Sequence, residues 1–274
     1  MSTADEILAN IIQWGQEEES VRALVVVGSR AQAGPMDELA DWDVAVFAQT
    51  REPYIQDNKW LSRIGKVWVC ISDKYEEMGE AVPTRLVIFE GGFKVDFALY
   101  PTAMFSTIEW DRSYKVMLDK DSLATNPKIV ADGVRHNPPT ETEVVNVIRE
   151  FWFEAYHVAK YLKRDELWLV KSRDWATKEL LLKMIEWHAQ ANHRWAYDTK
   201  YMGKHLKVWA DAGTWEALHR AFAHFDSADS WRGLLATMNL FRQLAIETSE
   251  VLGFTYPQDV DQKITGFIVR LQER

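Results

Sequence analysis

At 274 residues, 47% hydrophobic and 27% charged, the chain has the composition of a folded globular protein with room for two cores, not of a disordered one. Its net charge of -9 disfavours a general nucleic-acid-binding surface and favours a cationic small-molecule partner. The single cysteine, Cys70, excludes an internal disulfide framework, and there is neither a signal-like start nor an apolar run long enough to span a membrane, so a cytoplasmic protein without membrane contact is expected. In chain order, Ile7, Leu8, Ile11, Ile12 and Trp14 predict an amphipathic helix over residues 4–19. Strands are predicted near 22–27, 43–48, 66–71, 85–90 and 93–99, with one more near 115–119. The last two of the first five are joined at Gly91-Gly92, a hairpin signal. Cys70, within the third strand, reads as a small core residue. The prolines of His136-Asn137-Pro138-Pro139-Thr140 mark a linker, and Thr140 with Glu143 predicts a capping box opening a helix. Beyond it the pattern is helical, over 143–164, 166–195, 214–225, 230–252 and 260–272. The expected fold class is therefore α+β: a mixed, partly antiparallel sheet over residues 1–135, then a helical bundle over 136–274, with the active site in the cleft between them.

Three short motifs carry chemistry. Gly28-Ser29-Arg30 leaves the apolar run of residues 24–27, and Asp41-Trp42-Asp43 opens the next run. Glycine lets the backbone come close to a phosphate, and Ser29 adds a hydroxyl and an amide as donors. Carboxylates at i and i+2 of a strand project to one side, close enough to share a divalent ion. An Asp-x-Asp alone is a weak signal, because a solvated loop before a strand also produces one. In the strand near 93–99, Val95, Phe97 and Leu99 fall on one face and Lys94, Asp96 and Ala98 on the other. Asp96 reads either as an exposed strand residue or as a third carboxylate of a metal site. A lone buried carboxylate would need a metal, a cation or water to replace its hydration.

Together, Gly28-Ser29-Arg30, Asp41-Trp42-Asp43 and Val95-Asp96-Phe97 resemble the active-site signature of the polymerase-β-like nucleotidyltransferases. The second half narrows the likeness. Phe151-Trp152, Lys178-Glu179-Leu180-Leu181, Met184-Ile185-Glu186-Trp187, Gly203-Lys204-His205-Leu206-Lys207 and Leu252-Gly253-Phe254-Thr255-Tyr256-Pro257 resemble, in order, segments of the aminoglycoside 6-adenylyltransferases, which modify streptomycin. Trp42 departs from the tyrosine expected between the two carboxylates, and Val27 from the polar residue that often precedes Gly-Ser-Arg; neither change removes a metal ligand.

The resemblance implies a nucleotidyltransferase domain followed by a helical substrate-binding domain. It implies Mg²⁺-dependent transfer of AMP from ATP to a hydroxyl of an aminoglycoside, most simply the 6-position of streptomycin, with release of pyrophosphate and a role in antibiotic resistance. Asp41, Asp43 and Asp96 would hold metal, with Asp96 also the general base. Gly28, Ser29, Arg30 and Lys204 would meet the nucleotide; Glu154, following the Phe-Trp pair, reads either as a carboxylate facing an ammonium or guanidinium group of the acceptor or as one partner of a surface ion pair. The expected partners are thus ATP and a small cationic aminoglycoside, with no nucleic acid. A related enzyme with another hydroxylated acceptor, or a non-catalytic nucleotide- or antibiotic-binding protein, are the competing readings.

Other nucleotide and hydrolase signatures are missing. There is no Gly-x-x-x-x-Gly-Lys-Ser/Thr loop, no dinucleotide fingerprint, no Gly-x-Ser-x-Gly elbow and no Cys/His zinc cluster. Many of the thirteen tryptophans lie in the helical half and read as core and interhelix packing. His188 and His193, five apart, read as structural rather than metal-binding.

Overall fold

The computed structural model describes residues 4–31, 39–108, 110, 113–122, 137–199 and 201–273. The chain divides into two compact units, Met1–Asp132 and Gly133–Arg274. His136, the first residue of the expected linker, lies outside the described residues.

The first unit is built on a six-stranded mixed sheet: β1 (Val21–Val27), β2 (Trp42–Ala48), β3 (Val67–Glu77), β4 (Glu80–Phe89), β5 (Phe93–Pro101) and β6 (Tyr114–Asp119). Their order across the sheet is β3-β4-β5-β2-β1-β6, and β2 with β5 is the parallel pair in an otherwise antiparallel arrangement. Strands β1 and β2 are buried on both faces, because their alternate residues are apolar in both phases, whereas β3 at the edge is largely exposed. One phase places Leu24, Val26, Val44, Val46, Val95, Phe97 and Leu99 against Ile7, Ile11 and Trp14 of helix α1 (Ala4–Glu17) and Tyr54 of the short helix α2 (Glu52–Gln56). The other places Ala23, Val25, Ala45, Phe47 and Tyr100 against Met104, Phe105 and Trp110. The Gly91-Gly92 hairpin forms as expected, both glycines having positive φ. Strand β3 runs on to Glu77 and turns back at Met78-Gly79, well past the predicted end at residue 71. Cys70 is half-buried against the α1-side core, and burial raises its thiol pKa.

The second unit is helical: α3 (Glu141–Lys163), α4 (Leu167–Asn192), the short α5 (Leu206–Trp209), α6 (Ala212–Ala221), α7 (Ser227–Leu252) and α8 (Gln258–Glu273). The Thr140–Glu143 capping box forms in both directions and starts α3. Helix α7 ends where Gly253 takes a left-handed conformation and donates its amide to Glu250 and Ser249. The core centres on Phe151 and Phe241, stacked in parallel with ring centroids 3.6 Å apart. Trp152 and Trp209 are core residues, as expected of most tryptophans in this half, whereas Trp168 and Trp175 are exposed. His188 bonds Glu247 and His193 bonds the Ala189 carbonyl. Among the described residues no helix is long and apolar enough to cross a membrane.

Candidate active site

The parallel pairing of β2 with β5 sets Asp43 directly beside Asp96, and the antiparallel pairing of β1 with β2 sets Val27 beside Asp43. One row across the sheet therefore reads Leu86, Asp96, Asp43, Val27, Tyr114. Strand alternation turns Lys94, Asp96, Asp43 and Ala45 to the face opposite α1, and Asp41, one residue before β2 begins, shares the parity of Asp43. Two residues far apart in sequence thus become neighbours through a sheet register that core packing on both faces enforces.

Gly28 follows β1 at the end of that row. It is buried with φ +80°, its amide donates to the Ser113 carbonyl at 2.7 Å, and a Cβ there would stand 3.2 Å from Asp43 Oδ2. Both the left-handed backbone and the approach to Asp43 favour glycine. Ser29 is exposed in the single turn that follows. Arg30 is tied into the protein: its guanidinium donates twice to the Ala40 carbonyl, at 3.0 and 2.7 Å, and lies 4.8 Å from the Trp42 ring centre. It thereby fixes the backbone just before Asp41. The Trp42 that departs from the expected tyrosine supplies the surface on which Arg30 stacks.

The carboxylates are joined by a lysine. Lys94 Nζ donates to Asp41 Oδ2 and to Asp96 Oδ2, each at 2.8 Å. Burial opposes the charge on Lys94, but the two carboxylates together outweigh it and raise its pKa above the ordinary lysine value. The other oxygen of Asp96, Oδ1, is enclosed and has no hydrogen-bond partner. Lys94 shares its strand face with Asp96, and the i, i+2 spacing is the sequence signal that could have marked it as part of the site.

A groove of about 600 Å³ opens from this row over the same face of the sheet. Asp43, Asp96 and Leu86 line one end; Asp73, Tyr75, Glu76 and Glu77 of β3 line another, with Tyr100 and Trp110 beside them. Tyr100 donates to Glu77 and is hydrogen-bonded to the Tyr75 hydroxyl, and its burial, reinforced by those neighbours, raises its pKa and keeps it a neutral donor. No lysine or arginine is among the described residues lining the groove. The three β3 acids were missed from sequence because they lie past the predicted end of that strand.

Lys204 and Glu154 belong to the second unit. Lys204 is exposed in a tight turn where Met202, Gly203 and His205 all have positive φ, and its carbonyl accepts from Trp209 Nε1 at 2.8 Å. Glu154 is buried on α3, where Arg173 of α4 donates to both its oxygens at 3.1 and 3.2 Å. That carboxylate is already engaged by a guanidinium of the protein.

A family model described as Streptomycin adenylyltransferase matches residues 1–271. The chain belongs to this family. It is thus a nucleotidyltransferase. The aminoglycoside 6-adenylyltransferase of Campylobacter jejuni is 25% identical over 281 residues, covering 100% of this chain and 97% of its own length. That of Bacillus subtilis (strain 168) is 28% identical over 280 residues, covering 97% of each. A crystal structure of an aminoglycoside 6-adenyltransferase from Bacillus subtilis aligns over 99% of both chains at 23% identity, with a TM-score of 0.48.

A divalent metal is what such chemistry ordinarily employs, and the residues present fit one. Asp43 and Asp96 are hard oxygen donors in register, and the enclosed Asp96 Oδ1 lacks a partner. Among the described residues no three acids, histidines or cysteines converge into a ready-made metal cage. Magnesium is commonly held by one or two carboxylates together with water and substrate phosphates, so a closed protein cage is not required.

Proposed function

We propose that this family member transfers AMP from Mg-ATP to a hydroxyl of a cationic aminoglycoside, with streptomycin and its 6-position as the first candidate, releasing pyrophosphate. The observation that carries the reading is the in-register pair Asp43 and Asp96 beside the Gly28-Ser29 turn, at one end of an acidic groove. A bare triphosphate would be repelled by that groove, whereas guanidinium or ammonium groups would be drawn into it. The names of the two curated relatives agree with an aminoglycoside acceptor.

In this reading Asp43 and Asp96, joined by Asp41, hold the metal, and Asp96 takes the proton of the acceptor hydroxyl as that oxygen attacks the α-phosphorus. Bound there, a divalent ion would neutralise charge building on the phosphate oxygens and the leaving pyrophosphate. Gly28 lets the backbone come close to the phosphates, and Ser29 donates to them through its hydroxyl and amide. Arg30 acts mainly through the backbone it pins, and its guanidinium keeps its edge for a phosphate only if it gives up a bond to Ala40. Lys204 is assigned to a phosphate, and Glu154, already paired with Arg173, to a shared contact with an acceptor cation.

The test is pyrophosphate release with Mg-ATP, and then with other nucleotides, against streptomycin, spectinomycin, kanamycin and a lincosamide. Release with streptomycin, and a product carrying AMP at its 6-position by mass spectrometry and NMR, is the expected result. Release with another acceptor alone would move the assignment to that compound, and silence across the panel would remove the aminoglycoside reading.

A further inference from the structure

Lys94 has no part in the reading above, yet it links two of the site's three carboxylates. Its ammonium bridges Asp41 and Asp96 at 2.8 Å on each side, two residues from Asp96 and on the same strand face. An unpaired carboxylate cluster on a sheet would repel itself, and a bridging cation relieves that repulsion. Lysine suits a reversible bridge: it is a compact charge with three donors on a flexible stem, whereas the planar arginine fork favours a fixed bidentate pair. Lys94 and a divalent ion would draw on the same two carboxylates, Asp41 and Asp96.

We propose that Lys94 is a positioning residue that acts as an exchangeable counter-ion for the metal-binding carboxylates. It holds Asp41 beside Asp96 in the nucleotide-free protein and releases the two carboxylates when a metal arrives with its nucleotide. The consequence is ordered binding: free divalent ions bind weakly because they must displace an ammonium, whereas the metal-nucleotide complex brings phosphate oxygens that accept the displaced lysine. This inference rests on the metal reading of the proposed function.

The experiment measures Mn²⁺ binding by electron paramagnetic resonance, with and without a non-hydrolysable ATP analogue, for the unmodified protein, Lys94→Met and Lys94→Arg. Thermal melts in EDTA and in Mn²⁺ accompany it. In Lys94→Met, Mn²⁺ without nucleotide should bind about tenfold tighter or more, and the melting temperature lost in EDTA should return on adding Mn²⁺. Lys94→Arg, which keeps the charge, should stay close to the unmodified protein in nucleotide-free affinity. The gain from adding nucleotide should shrink in Lys94→Met.

Unchanged or weaker Mn²⁺ binding in Lys94→Met would overturn the counter-ion role. So would a stability loss that Mn²⁺ does not restore, which is the behaviour of a lysine with a purely structural part. If the unmodified protein binds no Mn²⁺ even with the analogue, the metal reading itself fails and takes this inference with it. If it binds Mn²⁺ and the variants do not differ from it, only the inference fails.

Discussion

At the scale of single residues, the site depends on a few atoms whose replacement has separable effects. Asp43→Asn keeps shape and hydrogen-bonding capacity but removes a charge that a divalent ion needs, so turnover should fall by at least about a thousandfold, roughly 4 kcal/mol in transition-state terms. The circular dichroism spectrum and melting temperature should stay near those of the unmodified protein. Wild-type turnover in Asp43→Asn would end its metal assignment. Asp96→Asn should retain nucleotide binding, measured calorimetrically, while losing transfer; unaltered transfer would place the base elsewhere. Gly28→Ala tests the backbone. Its φ of +80° strains any other residue, and the new methyl would meet Asp43 Oδ2 at 3.2 Å. About 1 kcal/mol of stability should be lost along with most of kcat. Full activity at unchanged stability would show that neither the turn nor the approach to Asp43 matters.

At the scale of elements, what could be read in the sequence follows from how local its causes are. The amphipathic α1, the Gly91-Gly92 hairpin and the capping box at Thr140 each depend on residues within a turn or two, and each is present. The far half of β3 was hidden because Asp73, Lys74, Glu76 and Glu77 offer no apolar alternation; the strand is held by backbone pairing with β4. The neighbouring positions of Asp43 and Asp96 were legible only through the motif resemblance, since a parallel pairing across about fifty residues leaves no local pattern. Lys94 was seen on the correct face, but its bond to Asp41 depends on how β2 and β5 align. In the helices, periodicity located the core but could not rank its members. Phe241 on α7 and Phe151 on α3, both fully buried and stacked at 3.6 Å, are the members whose loss should cost most. Phe241→Ala should cost about 3–5 kcal/mol through lost transfer energy and the cavity left behind, read from the urea midpoint. A loss below about 1 kcal/mol would mean that the neighbouring helices close the gap.

At the scale of the whole molecule, the acidic charge and a half-buried acid set how stability varies with pH. Most of the carboxylates with shifted pKa values are held low, as Asp261 is. Burial works against its charge, and the hydrogen bonds from Arg242 and Thr265 with the Arg242 charge outweigh it. Such groups stabilise the fold above their unfolded pKa and lose that contribution as the pH falls through the folded value. Glu186 on α4 runs the other way: burial, only partly offset by Lys183, raises its pKa to about 7. Below about pH 4.5 it is protonated in both the folded and unfolded states and costs nothing. Between that point and about 7 the unfolded chain releases its proton first, so stability falls as the pH rises; above about 7 the folded state bears the whole cost of a half-buried charge. Glu186→Gln should therefore raise the stability read from urea unfolding at pH 8, by about 1 kcal/mol once partial solvent screening is allowed for, and have little effect at pH 4.5. Comparing variant and parent at each pH cancels the contribution of every other carboxylate, including the depressed ones. An equal gain at both pH values would mean that Glu186 acts through packing, and a loss at pH 8 would show that its charged form is stabilised in the fold rather than penalised.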